Sequence, residues 1–294
     1  MIESEHELKQ VLLESAPLAR KVAPVLCRPD EPSDRMCAWY HGFWQYLRLL
    51  GLAAAPQRHT QFFDEALGGL AGSGAQRLVI TGSADYAMLA QVNRVWTASG
   101  AGGELAVVDA CETPLFLCKW YAKLRSLRLT AHACDILRWT PAAGFDVACT
   151  HSFMAQFPRS TRGKLIAAWR RALKPGGRVV TTTRVDDADT PERFGFTGEQ
   201  VAAFADSVFE RAHAIRERLD IDPEELRRRA ASYAEKVVSH PVTSRAELVE
   251  LFEQGGFQFE RLELVTLAGA VDSAAAGPTT SKRATYAHIV ARRV

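Results

Sequence analysis

From residue 77 onward, two patterns of hydrophobic and polar positions alternate along the chain. Short apolar runs rich in β-branched residues are typical of buried strands, and longer stretches with apolar groups three or four positions apart are typical of helices. The runs of the first kind predict five strands, at 77–81, 104–109, 127–135, 145–151 and 178–184. Helical patterns separate most of them. This alternation predicts a parallel sheet with helices on both faces.

The segment before this region has a different character. Residues 1–75 show no clear strand pattern, so they predict a helical segment. Its aromatic run at 39–47 has Trp39, Phe43 and Tyr46 at helical spacing, which predicts a buried helix. The Gly- and Ser-containing stretch at 70–76 predicts a linker to the alternating region.

The alternation breaks once more after the fifth strand. Residues 185–240 contain loop signals and two charged helical patterns, which predict a helical insertion. A helix at 244–257 and strands at 257–267 and 285–294 are then predicted to close the chain.

Composition narrows the possible classes of protein. The chain has 294 residues, 47% of them hydrophobic and 24% charged, which is ordinary for a soluble globular protein. A net charge of +2 argues against a large nucleic-acid-binding surface. The polar, acidic N-terminus predicts no signal peptide, and no apolar run approaches the ~20 residues of a membrane helix. We therefore expect a cytoplasmic protein with no membrane or nucleic-acid partner.

The cysteines show no metal-binding spacing. There are six of them, and none forms a Cys-x-x-Cys pair. They are Cys27, Cys37, Cys111, Cys118, Cys134 and Cys149. In a cytoplasmic protein such cysteines are expected to be reduced thiols, and we expect no metal site.

Residues that follow the predicted strands are the first candidates for a binding site, because open parallel sheets bind ligands beyond the carboxyl ends of their strands. The candidates of this kind are Gly82, Ser83, Ala84, Asp109, Ala110, Asp135, Ile136, Thr150, His151 and Ser152. Gly82 would let the backbone approach a ligand closely. The carboxylate of Asp109 can accept both hydroxyls of a ribose, and that of Asp135 can accept from an adenine amino group.

The order Gly82, Asp109, Asp135 and then Leu-Lys-Pro-Gly-Gly at 173–177 resembles the S-adenosylmethionine-dependent methyltransferases with the Rossmann-like (class I) fold. The resemblance implies an α/β, doubly wound, mostly parallel seven-stranded sheet with an antiparallel last strand. It also implies S-adenosyl-L-methionine as the cofactor. The Pro-Gly-Gly run would end a helix before the fifth strand.

The resemblance covers residues 76–183 well and 243–294 in outline. It implies a helical N-terminal cap at 1–75 and a cofactor-binding domain at 76–294, with the insertion at 185–240 as a lid. In this family such additions commonly form the substrate pocket and its cover.

The first loop departs from the family pattern. Ile80 stands where the family usually has an acidic residue, and Ala84 and Tyr86 stand in place of the second and third glycines. An alanine at position 84 can still fit the loop shape of the family. Tyr86 cannot adopt the same loop shape if that position requires a positive φ. The Gly-x-Gly-x-x-Gly fingerprint of nicotinamide-dinucleotide binding is absent.

The aromatic helix and the fourth strand supply candidates for the reaction. Tyr40 and His41 can bind or deprotonate a substrate, and aromatic faces such as that of Trp44 attract a sulfonium. Arg35 can bind a carboxylate bidentately, although it can equally be a surface arginine. In this family the position of His151 faces the methyl donor, and a histidine there suits a general base. The alternatives are core packing for the aromatic helix and a backbone hydrogen bond for His151.

These features lead to three functional hypotheses. The first is a methyltransferase for a small-molecule O, N, S or C acceptor in secondary metabolism. The second is an enzyme that cyclises or transfers the aminobutyrate arm of the cofactor and releases methylthioadenosine. The third is a non-catalytic scaffold with a degraded cofactor loop. The fourth strand is followed by no Asn-Pro-Pro-Tyr motif, which argues against a nucleic-acid substrate, and a homodimer is possible by analogy of fold.

Overall fold

A computed structural model describes residues 5–27, 37–99, 103–186, 188–269, 273–280 and 283–294. Its α-helices are α1 (Glu5–Leu26), α2 (Ala38–Leu49), α3 (Thr60–Gly72), α4 (Ala87–Ala98), α5 (Glu112–Leu124), α6 (Arg159–Ala172), α7 (Gly198–His213), α8 (Pro223–Lys236) and α9 (Arg245–Gln254). Its strands are β1 (Arg77–Thr81), β2 (Glu104–Asp109), β3 (Leu129–Ala133), β4 (Phe145–His151), β5 (Leu173–Val185), β6 (Phe257–Ala268) and β7 (Arg283–Arg293). Within these ranges, no helix combines the length and apolarity needed to cross a membrane.

The seven strands form one sheet in the order β3-β2-β1-β4-β5-β7-β6. Strands β1 to β5 pair in parallel, and β7 runs antiparallel to both β5 and β6. The predicted doubly wound, mostly parallel sheet with an antiparallel last strand is confirmed. The strand order reverses beside β1, which places a ligand-binding crevice at the carboxyl ends of β1, β2 and β4.

Alternate residues of the central strand face opposite sides of the sheet. Leu78 and Ile80 lie in a hydrophobic cluster with α3, α4 and α5, whereas Val79 lies in a second cluster with α6 and α9. All three side chains are fully buried. Burial of such a side chain contributes about 1.5–3 kcal/mol, so helices on both faces stabilise β1.

A third hydrophobic cluster joins the N-terminal cap to the insertion. Phe43 and Leu47 of α2 pack with Phe204 and Val208 of α7 and with Tyr233 of α8. The two regions outside the sheet, which are far apart in the sequence, therefore share one core.

Two predicted boundaries differ from the structure. The expected linker at 70–76 is wrong at its start, because α3 continues to Gly72 and buries Leu70 against the sheet. The strand expected at 178–184 begins earlier, since Leu173 already pairs with Phe145 of β4. Helix α6 still ends just before the Leu-Lys-Pro-Gly-Gly run, as expected.

Candidate active site

A cavity of about 590 Å³ lies at the carboxyl ends of the central strands. Its size lies within the range of small-molecule sites. We call its sheet side the strand-end wall, formed by Gly82, Ser83, Ala84, Asp85, Asp109, Ala110, Asp135, Ile136, His151, Ser152 and Phe153. We call its N-terminal side the cap wall, formed by Cys37, Trp39, Tyr40, His41, Trp44 and Arg48. The insertion adds residues 236–239.

Most of the predicted site residues therefore lie around one cavity. Thr150 is an exception, because its side chain is fully buried in β4 and does not line the cavity. Arg35 lies outside the described residues.

Gly82 ends β1 in a conformation that favours glycine. Its φ is +66°, in the left-handed region. A Cβ at this position would lie 2.2 Å from the ring of Phe153, which is impossibly close. The sequence predicts a close approach of a ligand to Gly82, and in this structure the ring of Phe153 lies at that position.

The loop after Gly82 keeps its shape without further glycines. Tyr86 has φ −76°, so no positive φ is required there and a tyrosine fits. The Asp85 carboxylate accepts hydrogen bonds from the backbone N–H of Ala87 (2.5 Å) and from Nη1 of Arg48 (2.8 Å). A side-chain carboxylate thus stabilises a turn that the family builds with glycines.

The ion pair between Arg48 and Asp85 was missed by the sequence analysis. Both side chains are almost completely buried, with 4% and 1% exposed. The guanidinium also lies 5.1 Å from the centre of the Tyr86 ring, and the Tyr86 hydroxyl lies 3.2 Å from Oγ of Ser15 in α1. One signal was available: Arg48 is the only Asp, Glu, Lys or Arg residue of α2.

Asp109 is fixed by two backbone donors. Its Oδ2 accepts from the N–H of Ser83 (2.8 Å) and its Oδ1 from the N–H of Cys111 (2.7 Å). Burial raises the pKa of the carboxyl, and these two bonds partly oppose that rise. Each oxygen keeps a further lone pair, so the carboxylate can still accept from a ligand.

Asp135 lies at the exposed rim of the same wall. Its Oδ1 accepts from the N–H of Leu137 at 2.9 Å, two residues further along. The carboxylate lines the cavity and remains open to solvent.

His151 has hydrogen-bond partners at both ring nitrogens. Its Nδ1 lies 2.7 Å from Oγ1 of Thr182, and its Nε2 lies 3.2 Å from the carbonyl oxygen of Ala54. A carbonyl only accepts, so Nε2 carries the proton and Nδ1 accepts from Thr182. Burial lowers the pKa of His151 to about 4, which keeps the ring neutral.

Stacked aromatic rings build the cap wall. The ring of Tyr40 lies between those of Trp44 (5.2 Å, 17° between planes) and Tyr233 (5.7 Å, 26°). Trp39 meets Tyr40 edge-on at 5.9 Å. Burial raises the pKa of Tyr40, so its phenol stays protonated at neutral pH and can only exchange hydrogen bonds.

His41 lines the cavity but points its Nδ1 at sulfur atoms. This nitrogen lies 3.3 Å from Sγ of Cys27 and 3.4 Å from Sγ of Cys111. Cys37 lies beside them, 3.6 Å from Cys111. From the sequence we expected separate reduced thiols and no metal site, whereas the structure brings three of the six cysteines together around a histidine.

Comparisons with known proteins bear on the fold. No protein-family model matches this sequence, and no curated protein matches it. Among solved structures, the chain aligns over its full length with 92% of a 1,6-didemethyltoxoflavin-N1-methyltransferase from Burkholderia thailandensis, at 14% identity and a TM-score of 0.50. It also aligns over 96% of its length with 98% of the N-methyltransferase NodS from Bradyrhizobium japonicum, at 15% identity and a TM-score of 0.46.

We base the conclusion about the fold on the Burkholderia structure. Its identity to this chain is low enough that the likeness concerns the fold alone. The chain has the Rossmann-like fold of class I methyltransferases. The fold implied by the resemblance in sequence is thereby confirmed, and the chemistry must be argued from the cavity.

Proposed function

We propose that this protein is an S-adenosylmethionine-dependent methyltransferase for a small-molecule O, N, S or C acceptor. The observation that carries the proposal is that the strand-end wall and the cap wall line the same cavity. A fixed carboxylate, Asp109, faces it from the strand ends, and stacked aromatic rings close it from the cap.

The residues of the strand-end wall fit the proposed cofactor. Asp109 has free lone pairs and a fixed orientation, as a group that accepts from two ribose hydroxyls requires. Asp135 at the rim would accept from the adenine amino group, and the backbone at Ser83 follows the tight turn of Gly82. Trp44, which lines the cavity, would attract the sulfonium with its ring face. When bound, S-adenosylmethionine supplies an electrophilic methyl group.

The protein's own task would be to orient the acceptor and to exclude water. The cap and the insertion cover the cavity and share one hydrophobic core, which suits both tasks. Tyr40 would orient the acceptor through its protonated hydroxyl. His151 would take a proton only after Thr182 rotates its hydroxyl away from Nδ1, so its role as base depends on that rotation.

The character of the cap wall supports a small, aromatic or cationic acceptor of the secondary-metabolite kind. Rings prefer to stack on rings or to face a cation. The Burkholderia neighbour was solved with the small molecule 1,6-didemethyltoxoflavin and with S-adenosylhomocysteine bound, in keeping with a small-molecule acceptor. A cytoplasmic location, the absence of a nucleic-acid substrate and a possible homodimer remain predictions from the sequence.

The test is calorimetric titration of the purified protein with S-adenosylmethionine, followed by mass spectrometry of the nucleoside. We expect micromolar binding, an intact cofactor without acceptor, and S-adenosylhomocysteine once a screened acceptor is methylated. Methylthioadenosine as the product would favour chemistry on the aminobutyrate arm. If the protein, checked to be free of copurified S-adenosylhomocysteine, binds no cofactor, the proposal is wrong and the scaffold hypothesis gains support.

A further inference from the structure

Three cysteines and a histidine converge at the junction of the two walls. Cys27 directly follows α1, Cys37 is the N-cap residue of α2, His41 lies in the first turn of α2, and Cys111 follows β2. Their four ligand atoms, three Sγ and the Nδ1 of His41, all lie within 4.8 Å of one another. Three of the four residues are buried, and Cys37 is half-buried.

Four of the six distances between these atoms lie close to the edges of a metal-centred tetrahedron, and the other two are at most 4.8 Å. With Zn–S near 2.3 Å and Zn–N near 2.0–2.1 Å, tetrahedral geometry places two sulfurs about 3.8 Å apart and sulfur and nitrogen about 3.5–3.6 Å apart. Cys111 Sγ lies 3.6 Å from both Cys27 Sγ and Cys37 Sγ. The Nδ1 of His41 lies 3.3 Å and 3.4 Å from Cys27 and Cys111. Sulfurs at 3.6 Å are also far outside disulfide-bond length.

The surroundings favour thiolates once a cation is present. Cys37 and Cys111 are the N-cap residues of α2 and α5, and neither makes a side-chain capping bond. The positive ends of both helix dipoles therefore lie close to these two cysteines. The hydroxyl of Thr113, in the first turn of α5, lies 3.0 Å from Sγ of Cys27 and supports that ligand from outside the cluster.

Hydrogen bonds to Cys111 and Cys37, together with burial, raise the pKa of the Cys27 thiol. Three thiols packed this closely would ionise together only if a cation offset their charge.

We propose that Cys27, Cys37, Cys111 and His41 bind one zinc ion. Three thiolates and one neutral imidazole complete a tetrahedron, and binding releases the three thiol protons to solvent. All four positions are filled by the protein, which is the arrangement of structural zinc sites. The ion would fasten α1 and α2 to the β2–α5 connection, two residues from Asp109, and so hold the cap wall against the strand-end wall.

Metal content tests the proposal without any assay of catalysis. The full-length protein is purified under reducing conditions, loaded with zinc, desalted and analysed by mass spectrometry for zinc per chain. We expect about one equivalent. Replacement by Co²⁺ should give the thiolate charge-transfer band and the intense visible bands of a tetrahedral site. No retained zinc, or a preference for another thiophilic ion over zinc, overturns the assignment, and so does a disulfide within the cluster.

Variants locate the ion. Competition with a chromogenic chelator should show at least ~100-fold weaker zinc binding in Cys37→Ser and in Cys111→Ser. The variant Thr113→Val, which removes only the outer hydrogen bond to Cys27, should lose about 10-fold. The matched control is Cys134→Ser, a half-exposed cysteine outside the cluster, which should bind zinc like the wild type.

The melting temperature distinguishes a variant that has lost the zinc site from one that has failed to fold. Zinc should raise the melting temperature of the wild type and of Cys134→Ser, whereas Cys111→Ser should fold with a melting temperature that zinc does not change. Undiminished zinc binding by a folded Cys37→Ser/Cys111→Ser double variant would overturn the proposal.

Discussion

The strand-end wall and the cap wall face the same cavity but are held in place by different kinds of contact. The strand-end carboxylates are fixed by backbone N–H groups, as Asp109 is by Ser83 and Cys111. The cap wall is fixed by side chains of distant elements, as Arg48 is by Asp85. Backbone donors stay in place while the sheet is folded. Side-chain partners can each be removed by one substitution, so the cap wall should be the more easily damaged of the two.

Breaking the buried ion pair should have the largest effect. Replacement Arg48→Met leaves the carboxylate of Asp85 buried without its partner, which should lower the free energy of unfolding by about 3–5 kcal/mol. Denaturant unfolding measures it. Adding Asp85→Asn removes the uncompensated charge and should restore part of the loss.

The matched control for this ion pair lies on the surface of the insertion. Arg227 of α8 pairs with Asp206 of α7 at 2.6 Å, but the two side chains are about half exposed. Arg227→Met should therefore cost no more than about 1 kcal/mol. Equal losses from Arg48→Met and Arg227→Met would contradict the role given to the buried pair.

Substitutions in the strand-end wall should lower the affinity for the cofactor more than they lower the stability of the fold. Asp109→Ala removes a charged acceptor for two ribose hydroxyls, each worth about 1.5 kcal/mol or more, so the affinity for S-adenosylmethionine should fall about 100-fold. Calorimetry on the folded variant measures the change.

Asp146 offers a control of the same chemistry at the opposite end of the sheet. Its Oδ2 also accepts two backbone N–H groups, from Gln76 at 2.9 Å and from Arg77 at 2.8 Å. Asp146→Ala should lower stability and leave cofactor affinity unchanged. A similar loss of affinity in Asp109→Ala and Asp146→Ala would show that the first effect is only structural.

The same contrast explains what could be predicted from the sequence. Apolar periodicity predicts the strands, and strand ends meet at one edge of a parallel sheet, so Gly82, Asp109 and Asp135 could be placed at the cavity in advance. The contact between Arg48 and Asp85 spans 37 positions, and that between Cys27 and Cys111 spans 84. Such pairs depend on how the cap packs on the sheet, and no local pattern encodes that.

The pH dependence of stability tests the contact between β4 and the segment after α2, where Nε2 of His151 donates a hydrogen bond to the carbonyl oxygen of Ala54. Burial lowers the pKa of His151 to about 4. The pKa of His59 is lowered to about 2, mainly by burial and to a smaller extent by the neighbouring His151. The unfolded chain takes up protons at these imidazoles below pH ~6.5, before the folded protein does. Stability should therefore be complete above that pH and fall as the pH drops from ~6.5 towards 4.

Substitution isolates the contribution of one histidine to this loss. Between pH 7 and pH 4.5, the free energy of unfolding of His151→Gln should fall by about 2 kcal/mol less than that of the wild type. His213→Gln, which removes an exposed imidazole from α7, is the matched control. Identical pH profiles for the wild type and His151→Gln would mean that this imidazole is not buried in its neutral form.

The smallest expected effect concerns the charge that the cap wall would recognise. Trp44→Leu removes an aromatic face from the cavity but keeps an apolar side chain, so it should weaken binding of the sulfonium more than binding of the uncharged thioether. We expect the preference for S-adenosylmethionine over S-adenosylhomocysteine to fall about 5-fold, which corresponds to about 1 kcal/mol. Phe43→Leu is the control, because Phe43 lies next to Trp44 in α2 but packs on Tyr233 without lining the cavity. It should lower stability and keep the preference. If Trp44→Leu weakens both ligands equally, the aromatic cap serves only to fill space, and the sulfonium is stabilised by the strand-end wall alone.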